Sequence, residues 1–165
     1  MHIISDVHGR FNDYFNTIKY FNIKQSIQIG DMGIGLPNIS YPEKWDLNHR
    51  FFRGNHDNPE VCVVHPNYLG DYGCIKEYDL YYISGAFSRD YRQRVFGIDW
   101  WKNEELSREQ FKIVKEEIYK YKPKIILSHD CPLSISKKMF QHPSYIQSIT
   151  NANLDAIFDK HKPEK

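Results

Sequence analysis

Phe51-Phe52-Arg53-Gly54-Asn55-His56-Asp57 runs from an apolar, strand-like stretch straight into an amide, an imidazole and a carboxylate. The same transition occurs three more times. His2-Ile3-Ile4-Ser5 leads into Asp6-Val7-His8, Ser26-Ile27-Gln28-Ile29 into Gly30-Asp31, and Ile125-Ile126-Leu127-Ser128 into His129. Each polar signature therefore sits at the C-terminal end of a candidate strand, where open α/β sheets collect their ligands. Together they supply the carboxylates of Asp6 and Asp31, the amide oxygen of Asn55, and the imidazoles of His8, His56 and His129. That is the ligand chemistry of a two-metal phosphoester site.

The intervening sequence predicts alternating helices and strands. Residues 11–21 place Phe11, Tyr14, Phe15, Ile18 and Phe21 on one helical face. Glycines and prolines break the pattern over 32–48, which predicts a loop over the site. Residues 74–85 alternate enough for two strands, the second over 81–84, and a polar loop with Arg89, Asp90, Arg92, Arg94, Trp100 and Trp101 follows. Ser107 with Gln110 fits a capping box ahead of the stripe Phe111, Val114, Ile118 and Tyr121, and Pro123 stops that helix. Residues 124–128 read as a buried strand and 154–161 as a short final helix. The pattern implies an α/β fold with a substantial sheet, in one domain spanning residues 1–165.

Bulk composition narrows the function classes. The 165 residues are 41 % hydrophobic and 26 % charged, with 22 basic against 21 acidic residues. Such balance lacks the basic stripe of a dedicated nucleic-acid binder. No apolar run approaches a membrane span, and the chain opens directly on His2-Ile3-Ile4, so a cytoplasmic location is expected. Cys62, Cys74 and Cys131 form no Cys-x-x-Cys pair and read as free thiols of a reducing compartment. Only Ala86, Ala152 and Ala156 are alanines, a bias that suits an AT-rich genome such as that of many phages or low-GC bacteria.

Taken singly, each motif has a plainer interpretation. Asp6 and His8 are two residues apart and can project together, as a hard carboxylate and a neutral imidazole suited to Mn, Fe or Zn. A turn aspartate and a surface histidine would look the same. Asp31 follows a flexible glycine and has two oxygens with which to bridge two metals, or it caps a turn. Asn55 can lend a carbonyl oxygen without adding charge, while His56 points to the substrate as acid or hydrogen-bond donor. His129 reads as a ligand, because adjacent Ser128, His129 and Asp130 cannot face one another as a triad. His2, His49, His65, His142 and His161 have no supporting motif and read as surface or core histidines. Arg53 and the arginines of the 89–94 loop, Arg89 and Arg92 foremost, are candidates for contacting substrate. Trp100-Trp101 could form a lip beside them or a packed edge.

The order Asp-x-His, Gly-Asp, Gly-Asn-His-Asp and strand-terminal His resembles the calcineurin-like metallophosphoesterase superfamily over nearly the whole chain. The strings through Asn58-Pro59-Glu60 and Ser128-His129-Asp130-Cys131-Pro132 resemble its small single-domain bacterial and phage members. The resemblance implies a sandwich of mixed β-sheets flanked by helices. It implies one divalent metal on Asp6, His8 and Asp31, a second on Asp31, Asn55 and His129, and His56 acting on the substrate. Manganese is favoured over iron or zinc. A metal-bound hydroxide would hydrolyse a phosphomonoester or diester, carried by a phosphorylated small molecule, a nucleotide or a nucleic-acid end.

Two departures qualify the resemblance. Met32-Gly33-Ile34-Gly35 replaces the Asp-Arg-Gly element of protein Ser/Thr phosphatases, and Asp57 stands where they carry Glu, which disfavours that branch. The family's closing Gly-His-x-His is also absent, since no Gly-His pair occurs in the chain. Relative to the family, the sheet is then expected to lack its last strand or strands, and each metal one histidine. A weak or inactive relative serving as a binding or regulatory module is the alternative, and a partner chain or separate piece could complete the site.

Overall fold

The computed structural model describes residues 1–140 and 148–162, with only the backbone of Phe140; His142 and the Pro163-Glu164-Lys165 tail lie outside the described residues. The architecture is mixed α/β, with two three-stranded sheets and five helices among those residues. The first sheet, in order β1 (His2–Ile4), β2 (Ser26–Ile29), β3 (His49–Phe52), is wholly parallel. The second, β4 (Tyr72–Ile75), β5 (Leu80–Ile83), β6 (Ile125–Ser128), pairs β4 and β5 antiparallel and β5 and β6 parallel. Two three-stranded sheets, one wholly parallel and one mixed, thus stand where the alternating pattern implies a substantial sheet and the resemblance a sandwich of mixed sheets.

Side-chain alternation along the strands stacks the layers. Ile27 and Phe52 of the first sheet share a core with Leu80 and Tyr82 of the second. The Phe52 and Tyr82 rings stack at 5.7 Å with their planes 16° apart. One residue earlier, the opposite faces meet helices. Phe51 packs with Phe11 and Tyr14 of α1 (Phe11–Tyr20), Met32, Ile34 and Cys62. Tyr81 and Ile83 pack with Phe111, Val114 and Ile118 of α3 (Arg108–Tyr121) and with Leu154 and Ile157 of α5 (Ile149–His161). Each fully buried Phe contributes about 1.5–3 kcal/mol through its removal from water.

Two helices escape the sequence pattern. A single turn, α2 (Pro59–Cys62), is started by Asn58, whose side chain accepts from the Glu60 N–H, and is too short for any periodicity. The eight residues of α4 (Leu133–Phe140) open Leu-Ser-Ile-Ser, which mimics a strand's alternation. The last helix begins at Ile149 rather than 154 because Ser148 and Asn151 form a capping box that lacks the usual Glu or Gln. The capping box predicted at Ser107 and Gln110 is present, and Lys122 ends α3 in a left-handed conformation ahead of Pro123. No helix among the described residues is long and apolar enough to cross a membrane.

Parallel pairing brings the carboxyl ends of β1, β2 and β3 to one edge of their sheet. Two hydrogen bonds join that edge to the second sheet. The Gly85 N–H, just past β5, donates to the Arg53 carbonyl at 2.8 Å, and His129 Nδ1, just past β6, donates to the Ile29 carbonyl at 3.0 Å. The site lies along this seam.

Candidate metal centre

Past the strand ends the backbone turns sharply. Asp6, His8 and Asp31 have φ of +57°, +47° and +58°, a left-handed conformation that side-chain-bearing residues adopt at a cost of about 1–2 kcal/mol each. Such strain persists only where neighbours over-determine it, and it gathers at functional sites. Here the β1–β2 pairing continues beyond the strands to hold it. His8 N–H donates to the Asp31 carbonyl at 2.8 Å and Gly9 N–H to the Met32 carbonyl at 2.9 Å. The 32–48 segment, expected as a loop over the site, carries no regular element and brings Ile39 against Gly9. Two glycines allow close approach from the other strands. A methyl group at Gly54 would lie 2.1 Å from Asp31 Oδ1 and 2.7 Å from His129 Nε2, and one at Gly30 2.3 Å from His129 Nδ1.

Asp31 is the hub, with its side chain 6 % exposed. Its Oδ1 accepts the His56 backbone N–H at 2.9 Å and faces His129 Nε2 at 3.3 Å. Its Oδ2 faces His8 Nε2 at 3.7 Å and His56 Nε2 at 4.0 Å. Asp6 Oδ1 lies 3.5 Å from the same His8 nitrogen, and Asn55 Oδ1 3.2 Å from His129 Nε2. All six predicted residues therefore meet, arranged around the two oxygens of one carboxylate.

Electrostatics follow from this packing. Burial opposes charge on Asp31, but the His129 hydrogen bond and charge, with the His56 N–H, hold its pKa below the usual range. Burial likewise opposes charge on His129, yet Asp31 and the Ile29 carbonyl outweigh it and raise the pKa to about 9. Both His129 nitrogens face acceptors, so the metal-free ring is an imidazolium. His56 is pushed down by burial, against the pull of Asp31, and further by Arg94 and His8, which keeps it neutral near pH 7.

The His129 shift makes a prediction for the metal-free chain. A folded-state pKa of about 9 against about 6.5 unfolded gives stability that is complete below pH 6.5 and lost as pH rises through 9. Up to about 3 kcal/mol should disappear between pH 6.5 and 10. Urea midpoints across that interval should fall for the wild type and stay flatter for His129→Gln; parallel curves would contradict the assignment.

A second layer orients these groups. Asn55 Nδ2 donates to Ser88 Oγ at 3.1 Å, which leaves Oδ1 turned to His129. Ser88 in turn donates from N and Oγ to the buried Glu104 carboxylate at 2.7 and 2.5 Å. Asp57, fully buried, accepts four backbone N–H groups, those of Met32, Gly33, Ile34 and Gly54, at 2.6–3.1 Å. Burial pushes its carboxyl up while these donors pull against it. Asp57 thereby clamps the Asp31 loop to the Asn55 loop.

Of the arginines expected to contact substrate, Arg53 requires correction. Arg53 is 3 % exposed and committed elsewhere, with Nε donating to Asp71 at 2.7 Å and Nη1 to the Glu104 carbonyl at 2.6 Å. Arg92 is exposed and donates to the hydroxyl of neighbouring Tyr91, and the charge of Arg89 acts on Asp130 and Cys131. The arginine that reaches the centre is Arg94, anchored by Asp90 at 2.8 Å, with Nη2 donating to His56 Nε2 at 2.7 Å. Its only sequence signal is the i, i+4 Asp-Arg spacing within the polar loop. Trp101 is buried, on the side of the packed edge. His49, His65 and His161 hydrogen-bond Ser26, the Pro42 carbonyl and the Pro123 carbonyl, which makes them structural.

The donor set fits divalent metal. Two ligands about 2.1 Å from one ion lie about 3.0 Å apart at right angles and about 4.2 Å apart when opposite. The spacings of 3.2–3.7 Å around Asp31 fall within that interval. His129 also has the outer-shell carbonyl that directs a ligating Nε2 inward. His8, Asp31 and His56 place their ligand atoms within 4.8 Å of one another. His56, however, already accepts from Arg94 at Nε2, so its lone pair is engaged.

No protein-family model matches this chain, and a search of curated proteins returns no match.

Proposed function

We propose that the chain is a metal-dependent phosphoester hydrolase, in a domain of the calcineurin-like metallophosphoesterase kind, with two divalent ions sharing Asp31. The observation that carries this reading is the division of labour at Asp31, whose Oδ2 faces His8 and whose Oδ1 faces His129. Asp6, His8 and Asp31 would hold one ion, and Asp31, Asn55 and His129 the other. Manganese suits this mixture of carboxylate, amide and imidazole donors. Ions so held would polarise phosphoryl oxygens and lower the pKa of bound water towards neutrality. His56 stands at the open side, its side chain 31 % exposed, with the Arg94 side chain, 8 % exposed, packed against it. Arg94 approaches both ring nitrogens, Nη2 at 2.7 Å from Nε2 and Nη1 at 3.4 Å from Nδ1, and so holds the exposed imidazole in place to act on phosphoryl or leaving-group oxygens. A phosphorylated small molecule, a nucleotide or a nucleic-acid end is the substrate class. Three unpaired cysteines fit a reducing, cytoplasmic setting.

Chelator-treated protein should be inactive on p-nitrophenyl phosphate and its bis ester and should regain turnover with added Mn. Calorimetry should show binding of two equivalents of Mn. Hydrolysis that ignores chelation, or no Mn binding above background, would sink the proposal; Mn binding without turnover would support a regulatory module instead.

A further inference from the structure

The loop over residues 88–104 is fastened at its base and presents an apolar tip. Ser88 and Glu104 close the base through two hydrogen bonds, and Arg94 anchors the middle to His56. Beyond Arg94 the chain turns through Gly97, whose N–H donates to the Trp100 carbonyl at 2.9 Å, while the Val95 N–H donates to Asp99 Oδ1 at 2.6 Å. This ordered turn leaves Val95, Phe96 and Ile98 at 55, 60 and 49 % exposure. Clustered exposed apolar groups of this kind mark binding surfaces. Cations accompany them: Lys102 Nζ lies 5.3 Å over the Phe96 ring, and Arg92 5.7 Å over Tyr91. An aromatic series from Phe96 through Trp100 to Tyr91, with centroids 5.8 and 5.6 Å apart, backs the tip.

An anion bearing a planar aromatic group matches this surface. Its ring would stack against Phe96, and its anionic part would face Arg92 and Lys102. The anchor at Arg94 is two residues from Phe96 and touches the ring that faces Asp31, which ties the loop that carries the tip to the centre.

We propose that the 88–104 loop is the substrate lip of the centre and selects phosphoesters whose organic group is an aromatic ring, a nucleotide rather than a sugar or glycerol phosphate. The inference rests on the phosphoester reading. Calorimetric titration of the Mn-loaded full chain with AMP, glycerol phosphate and inorganic phosphate tests it without requiring turnover. AMP should bind about tenfold more tightly than glycerol phosphate, the size of one base–aromatic stack. Phe96→Ala, on an exposed turn, should bring that ratio to about one. Equal affinities in the wild type, or an unchanged ratio in Phe96→Ala, overturn the lip while leaving the centre intact. Sizing chromatography separates self-association: an oligomer lost in Phe96→Ala with the ratio untouched assigns the tip to a second copy and overturns the proposal. If Mn-loaded protein binds none of the three ligands, the phosphoester centre falls, and the lip with it.

Discussion

Asp31→Asn is expected to cut metal-dependent turnover by about 10³-fold or more, on the order of 4 kcal/mol of transition-state stabilisation. An amide keeps one oxygen but loses the charge, and only one of the two donor sets around Asp31 can then be served. The same substitution should move the metal-free protein in a second, independent way. With the neighbouring carboxylate gone, His129 loses its principal counter-charge, and its pKa, about 9 in the wild type, should fall towards the ordinary value. NMR titration of the histidine rings checks this without any assay of activity. Full turnover in Asp31→Asn would remove Asp31 from the centre; an unmoved His129 titration would contradict the pairing itself.

Asp57→Ala is expected to have the largest effect on stability. Its carboxylate accepts four backbone N–H groups at a site with no exposure, so the alanine leaves all four buried without an acceptor. Each such group costs about 1–3 kcal/mol, and a summed loss on the order of 4 kcal/mol or more approaches the whole stability of a domain this size. Asp57→Asn keeps one oxygen acceptor and should fall between the two. Chemical denaturation without metal measures the difference, and an unchanged midpoint for Asp57→Ala would show that the clamp is not what holds the two loops. Unlike the Asp31 variant, this one should lose function through loss of fold.

Much of this was legible in residue order. Apolar runs ending in polar signatures located β1, β2, β3 and β6, and the stripe from Phe111 to Ile118 located α3. Five of the six expected site residues follow β1, β2 and β3 at one sheet edge, and His129, past β6 of the other sheet, meets them across the seam. What was not legible depends on orientation. Arg53 and Arg94 are equally good anion binders by type, yet one pairs with Asp71 inside the fold and the other reaches His56. Asp57 looked like the last letter of a motif, and nothing local shows that its carboxylate is buried under four N–H groups. The left-handed backbone at Asp6, His8 and Asp31 was hidden too, since aspartate and histidine give no glycine-like sign of it. Periodicity is silent, too, on which faces meet: Phe52 and Tyr82 stack across 30 residues of sequence.

The bond from His129 to the Ile29 carbonyl spans 100 positions in the chain. During synthesis the first sheet and most of the centre's side chains emerge long before residue 129 does. A nascent chain therefore carries Asp6, His8, Asp31 and Asn55 before the histidine that meets them across the seam has been added. Any ion bound across the seam then acts as a rivet between the sheets, resisting their separation in proportion to its affinity.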